Sequence, residues 1–108
     1  MNILMIDTSG PACGVAIMAD GRLVYEAELT HRQTHSQRVM PMVDTALQMS
    51  DMTAADMDVF GAVVGPGSFT GVRIGVSTVK ALAHAANKPC VAVDALEALA
   101  ANVTAFHG

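Results

Sequence analysis

The sequence predicts an α/β domain, a mixed five-stranded sheet with helices packed on it. Three observations carry that prediction. The first 30 residues hold three short apolar or alternating runs, two of them joined by Asp20-Gly21. Beyond them, continuous apolar runs alternate with stretches of helical period, the pattern of parallel strands linked by crossover helices. Apolar residues make up 52% of the 108 residues and charged residues 15%, a balance that supports a core and excludes intrinsic disorder.

Residues 3–6 form the first strand, an apolar run that ends at the turn formers Asp7-Thr8-Ser9-Gly10-Pro11. Residues 14–18 form the second. Asp20-Gly21 then closes a hairpin, because a type I′ turn needs positive φ at both central positions. Residues 22–29 return as the third strand, with Leu23, Tyr25, Ala27 and Leu29 alternating against Arg22, Glu26 and Glu28. That period of two marks a half-exposed strand near a sheet edge.

Residues 30–37 are polar and lead into a helix over 36–49. Its apolar residues fall in two stripes, Met40, Val43 and Leu47 beside Val39, Met42, Ala46 and Met49, wider than one narrow face. Pro41 deletes a helical N–H unless it lies in the first turn, so a kink or a late helix start is expected. Residues 51–58 are a link with a helical turn after Thr53. Residues 59–64 are continuously apolar, which suits a central parallel strand buried on both faces. Gly65-Pro66-Gly67-Ser68 precedes a long helix over 69–86, stopped by Asn87-Lys88-Pro89. Residues 90–93 make a fifth strand, and Asp94 caps a last helix reaching Thr104. The order βββαβαβα, antiparallel hairpin first and crossovers later, is the ribonuclease-H-like topology.

Ten acidic and six basic residues give a formal charge of -4, which speaks against an autonomous nucleic-acid grip but not against membership of a complex that handles RNA. Cys13 and Cys90 lie far apart and outside any C-x-x-C pair, so buried free thiols are expected rather than a zinc site or a disulfide. The N-terminus lacks a basic n-region and Asp7 interrupts its apolar run, unlike a signal peptide. No stretch approaches the roughly 20 apolar residues of a membrane helix. One domain over 1–108, a cytoplasmic location and no membrane association are the expectations.

Two stretches have the make-up of a binding site. The run from Gly65 to Gly75 joins a buried strand to a helix N-terminus, where free N–H groups and the helix dipole hold a phosphate or carboxylate. Ser68 or Thr70 equally satisfies those donors as an N-cap, and the spacing is that of neither a P-loop nor a dinucleotide fingerprint. At the end of the first strand, Asp7, Thr8 and Ser9 offer a carboxylate and two hydroxyls. They suit a metal–phosphate group and equally suit a plain turn.

On the long helix Gly71 and Gly75 share a face with Thr78 and Leu82. A smooth groove for another backbone is expected there. Val72, Val76, Val79, Ala83 and Ala86 form the face for the sheet, and Arg73, Ser77, Lys80 and His84 the polar face, either solvated or in contact with a partner. His31, His35, His84 and His107 show no metal-ligand spacing, and no nucleophile elbow is present.

The pattern Ile6-Asp7-Thr8-Ser9, then His35-Ser36-Gln37-Arg38 with Met40-Pro41, then the run from Gly65 to Gly75, resembles the TsaB (YeaZ) family along the whole chain. Members of that family have two ribonuclease-H-like lobes of the actin/Hsp70/sugar-kinase type, so the resemblance implies that 1–108 is the N-terminal half of a two-lobe protein. It implies a non-catalytic subunit for tRNA threonylcarbamoyladenosine (t6A) synthesis that binds and activates a TsaD-like transferase through its first two long helices. The same resemblance implies that a TsaE-like ATPase joins the complex, that tRNA is met only through it, and that the protein forms a homodimer when alone. No cofactor is expected beyond ATP or ADP at a partner interface, and the two stretches above make Asp7, Thr8, Ser9, Gly65, Gly67 and Ser68 the candidate nucleotide or phosphate contacts. The interface expected is Val39, Met40, Met42, Val43 and Leu47 with Gly71, Arg73, Ile74, Gly75, Thr78, Lys80 and Leu82.

TsaD-like relatives carry a His-x-x-x-His metal pair in the helix after the fifth strand. Here those positions hold Ala95 and Leu99, which have no donor atoms, so neither a metal nor independent catalysis is expected. The competing readings are a nucleotide-dependent phosphotransferase lobe of the sugar or acyl kinase type, and the metalloprotease activity implied by an older glycoprotease name for the family.

Overall fold

The hairpin signal places the first strands of the computed structural model, which describes residues 1–30, 35–64 and 69–93. Strand β1 (Asn2–Asp7) pairs antiparallel with β2 (Ala12–Ala19), and β2 pairs antiparallel with β3 (Arg22–Thr30). Between them Asp20 and Gly21 take φ of 53° and 80°, the positive pair that the turn demands. Strand β4 (Val59–Val63) lies parallel to β1, and β5 (Cys90–Val93) lies parallel to β4. The sheet order is β3-β2-β1-β4-β5, so β4 is internal and all five of its residues are buried.

Alternation along the strands sorts the side chains by face. Leu4 and Ile6 of β1, Cys13, Val15 and Ile17 of β2, and Phe60 and Ala62 of β4 point to one side. The helices α1 (His35–Met49) and α2 (Phe69–Ala86) cover that side with Val39, Val43, Ala46, Val79 and Ala83. Ile3, Met5, Val59, Val63 and Val93 form a second apolar cluster on the other face.

At the edge, Tyr25, Ala27 and Leu29 follow the expected alternation and Leu23 does not. The register shifts between Ile17 and Met18, Val24 opposes no partner, and both Leu23 (56%) and Val24 (46%) are exposed. A bulge of one residue breaks the period of two at that point.

Helix α1 does not start late. It begins at His35 and contains Pro41, which lies on the solvent side. The missing N–H withdraws a bond from the carbonyl of Gln37, an exposed residue on the solvent side of the helix. Both helices end in Schellman motifs whose left-handed position is held by a short polar residue rather than glycine. Asp51 (φ 57°) donates to Gln48 O at 3.1 Å while Met52 donates to Leu47 O at 2.9 Å. Asn87 (φ 56°) and Lys88 repeat this on His84 O and Ala83 O. The helical turn expected after Thr53 spans Ala54–Asp56, and Asp56 Oδ2 accepts from both the Thr53 N–H (2.8 Å) and its hydroxyl (3.1 Å). The last helix expected from Asp94 lies outside the described residues.

Candidate functional site

Asp7 ends β1 half-buried, and its Oδ1 accepts from the Ser9 N–H at 3.0 Å and the Ser9 hydroxyl at 2.6 Å. This is the self-contained turn that an aspartate makes with the backbone two residues on. Thr8 between them is wholly buried, and its hydroxyl donates to the carbonyl of Gly71 on α2. One turn along, a Cβ on Gly75 would stand 2.6 Å from Thr8 Oγ1, with Ile6 and Ala62 at 3.8 and 3.9 Å behind it. A side chain fits there only if Thr8 shifts.

Gly71 and Gly75 are therefore buried against β1, and the expectation of an outward groove along them is corrected. The groups that approach the glycines are side chains of this chain, the Thr8 hydroxyl with Ile6 and Ala62. Gly65, Gly67 and Ser68 lie outside the described residues. Cys13 is buried next to this turn, and burial first, then the charge of Asp7, pushes its thiol above the ordinary value. Cys90 corrects the expectation of two buried thiols: it opens β5 and is exposed.

The outer side of the helix pair has a different character. Of the α1 residues expected at an interface, Val43 is fully buried in the core and Val39 is 2% exposed, while Met42 and Leu47 pack partly buried against it. Only Met40 of that set, 41% exposed, stands out from the surface. On α2, Arg73 and Lys80 are exposed, and Ile74, Thr78 and Leu82 are half-buried. Thr78 donates its hydroxyl to Ile74 O at 2.8 Å, which leaves its methyl and its oxygen's acceptor side to meet a neighbour.

Met40, Ile74 and Thr78 line a hollow of about 420 Å³ between α1 and α2, with Val39 at its floor and Ser36, Thr70, Arg73 and Ser77 around it. A second hollow of about 360 Å³ shares Met40, Ser77 and Thr78 and runs on past Ala81, Leu82 and Ala85. Ala81 and Ala85 were not singled out by the sequence pattern. Their spacing of three and seven from Thr78 is the signal that places them along the same strip. This shallow, mostly apolar strip on two rigid helices can seat side chains of a partner helix.

The strand-end turn can present one carboxylate. Among the described residues no group of three or more His, Cys, Asp and Glu gathers to hold a metal ion. Ala95 and Leu99 lie outside those residues, and their side chains do not fit a metal pair in any arrangement. No described helix is long and apolar enough to cross a membrane.

Comparison with known proteins agrees with this architecture. Residues 28–108 match the family model of TsaD, the tRNA N6-adenosine threonylcarbamoyltransferase. Over all 108 residues the chain is 42% identical to the tRNA threonylcarbamoyladenosine biosynthesis protein TsaB of Bacillus subtilis, covering 47% of that protein. YeaZ from Pseudomonas aeruginosa superposes with a TM-score of 0.82 and 36% identity over 99% of this chain and 50% of its own. RuvC of T. thermophilus, in complex with a Holliday junction substrate, superposes at 0.62 with 17% identity, over 94% of this chain and 71% of that one, which shows the shared ribonuclease-H-like fold alone. The chain spans about half the length of the curated TsaB proteins it matches. With identity of 36–42% along essentially its whole length to three such proteins, and the same sheet and helices as YeaZ, the chain belongs to the TsaB (YeaZ) family.

Proposed function

We propose that this domain serves tRNA threonylcarbamoyladenosine biosynthesis as a non-catalytic subunit that docks and activates a TsaD-like threonylcarbamoyltransferase through the outer side of α1 and α2. The observation that carries the reading is the apolar strip between those helices, where Met40 stands 41% exposed over hollows of about 420 and 360 Å³. Helices present such strips for pairing with other helices, because ridges and hollows interdigitate.

The names of the TsaB relatives support the pathway, and the match of residues 28–108 to the TsaD model supports a TsaD-like partner of related fold. The non-catalytic role is supported by the strand-end turn. It offers one carboxylate, Asp7, whose Oδ1 is already engaged by Ser9. Ala95 and Leu99, where TsaD-like relatives place a metal pair, add no donors.

The test is reconstitution with a cognate TsaD-like transferase, a TsaE-like ATPase, threonylcarbamoyl-adenylate and tRNA. The wild-type protein is expected to restore transfer and Met40→Asp to lose most of it. Transfer by the protein alone, or wild-type support by Met40→Asp, would overturn the reading.

A further inference from the structure

On the flank of α1 turned away from α2, a hollow of about 220 Å³ opens between that helix and β3. Tyr25, Ala27 and Leu29 line it from the strand, and Arg38, Met42 and Thr45 from the helix. None of these residues borders the hollows between α1 and α2. Within this mainly apolar lining Arg38 Nε is shielded from solvent and meets no acceptor, and the side chain makes no hydrogen bond or ion pair among the described residues. A shielded donor without an acceptor is an unfavourable arrangement, and a carboxylate brought to a guanidinium relieves it with a charge-assisted bond.

The hollow adjoins a sheet edge. Strand β3 is outermost in the sheet, and no described segment pairs with its outer side. Residues 25–30 carry no Pro, no Lys and no bulge, the usual devices that blunt an edge. Their only charges are Glu26 and Glu28, exposed on the face of the sheet opposite Tyr25, Ala27 and Leu29. The β2 residues across from them are Ala16 and Gly14, so no basic group answers either carboxylate.

We propose that β3 accepts an added strand from a partner protein, one that turns a carboxylate among apolar residues toward the hollow and basic residues toward Glu26 and Glu28. The open main chain of the edge supplies the pairing, and the alternating side chains supply the choice of strand. Arg38 selects an acid on the inner face, while the glutamates select the opposite sign on the outer one. The site shares no residue with the docking strip on α1 and α2, so this inference is independent of that reading.

Two short synthetic peptides of equal composition test it by fluorescence anisotropy. One sets glutamate and valines on one face of an extended strand and lysines on the other. The second swaps the glutamate with one of the lysines. The first is expected to bind about tenfold tighter, and both Arg38→Gln and the double change Glu26→Gln with Glu28→Gln should narrow that margin to about threefold. The glutamates are exposed, so the double variant carries the test even where Arg38→Gln fails to fold. Amide hydrogen exchange in β3 should slow when the first peptide binds, because the added strand covers its outer edge. Equal binding of the two peptides, or a margin untouched in the double variant, would overturn the proposal. So would binding that leaves exchange in β3 unchanged. Butyrate binding as tightly as the first peptide would reduce the hollow to a small-anion site, and slowed exchange in β3 as the protein alone is concentrated would give the edge to a second copy. Either result would also overturn it.

Discussion

On its inner side α2 brings Gly71 and Gly75 against the end of β1, where the Thr8 hydroxyl donates to Gly71 O and a Cβ fits at position 75 only if Thr8 shifts. On its outer side the same helix leaves Arg73, Ser77 and Lys80 exposed beside hollows open to solvent. The inner contact is intolerant because it is a three-way fit of helix backbone, buried hydroxyl and sheet. The outer side holds the monomer together very little and is free to be shaped by a partner. Substitutions on one helix should therefore divide into those that unfold the domain and those that leave it folded and alone.

Gly75→Val breaks the comparison most severely. Its branched side chain meets Thr8, Ile6 and Ala62, and a loss of about 3 kcal/mol is expected in urea unfolding, overpacking being costly in a closed core. Gly75→Ala is expected to cost about 2 kcal/mol. Because its clash is with the Thr8 oxygen, combination with Thr8→Ala should recover about 1 kcal/mol relative to the sum of the single changes. Additive costs would show that the glycine answers to something other than Thr8.

Met40→Asp tests the outer side, and its unfolding free energy should stay within about 0.5 kcal/mol of wild type. The cysteines give the smallest effect. Cys90 should alkylate in the native protein and Cys13 only on unfolding. The folded protein holds the Cys13 proton to higher pH than the unfolded chain does. Its contribution is therefore intact below the ordinary value of 9.0 and is lost as pH rises through the folded value. Stability of the wild type should fall more steeply than that of Cys13→Ala as pH rises from 9.0 towards the folded value.

Much of this architecture is written locally. Asp20-Gly21 states its turn, the run that forms β4 states its burial, and Asn87-Lys88-Pro89 states where α2 stops. The direction of the glycine face is not local. Gly71 and Gly75 make one side of a helix smooth, and that pattern reads the same whether a sheet or a partner fills it. The answer lies in Thr8, 63 residues before Gly71, and its hydrogen bond exists only once the sheet has formed. Pro41 misleads for a similar reason, since its cost depends on whether the orphaned carbonyl faces core or water. On α1, Met40 and Val43 fall in one stripe by spacing, yet the sheet takes Val43 and leaves Met40 outside.

Calorimetric titration of Met40→Asp into the cognate TsaD-like transferase, beside its unfolding curve, tests the division of labour most directly. Affinity is expected to fall by tenfold or more, as for an anchor at the centre of an interface, while the unfolding midpoint stays at the wild-type value. Wild-type affinity in a fully folded Met40→Asp protein would contradict the assignment of the outer helical face to docking.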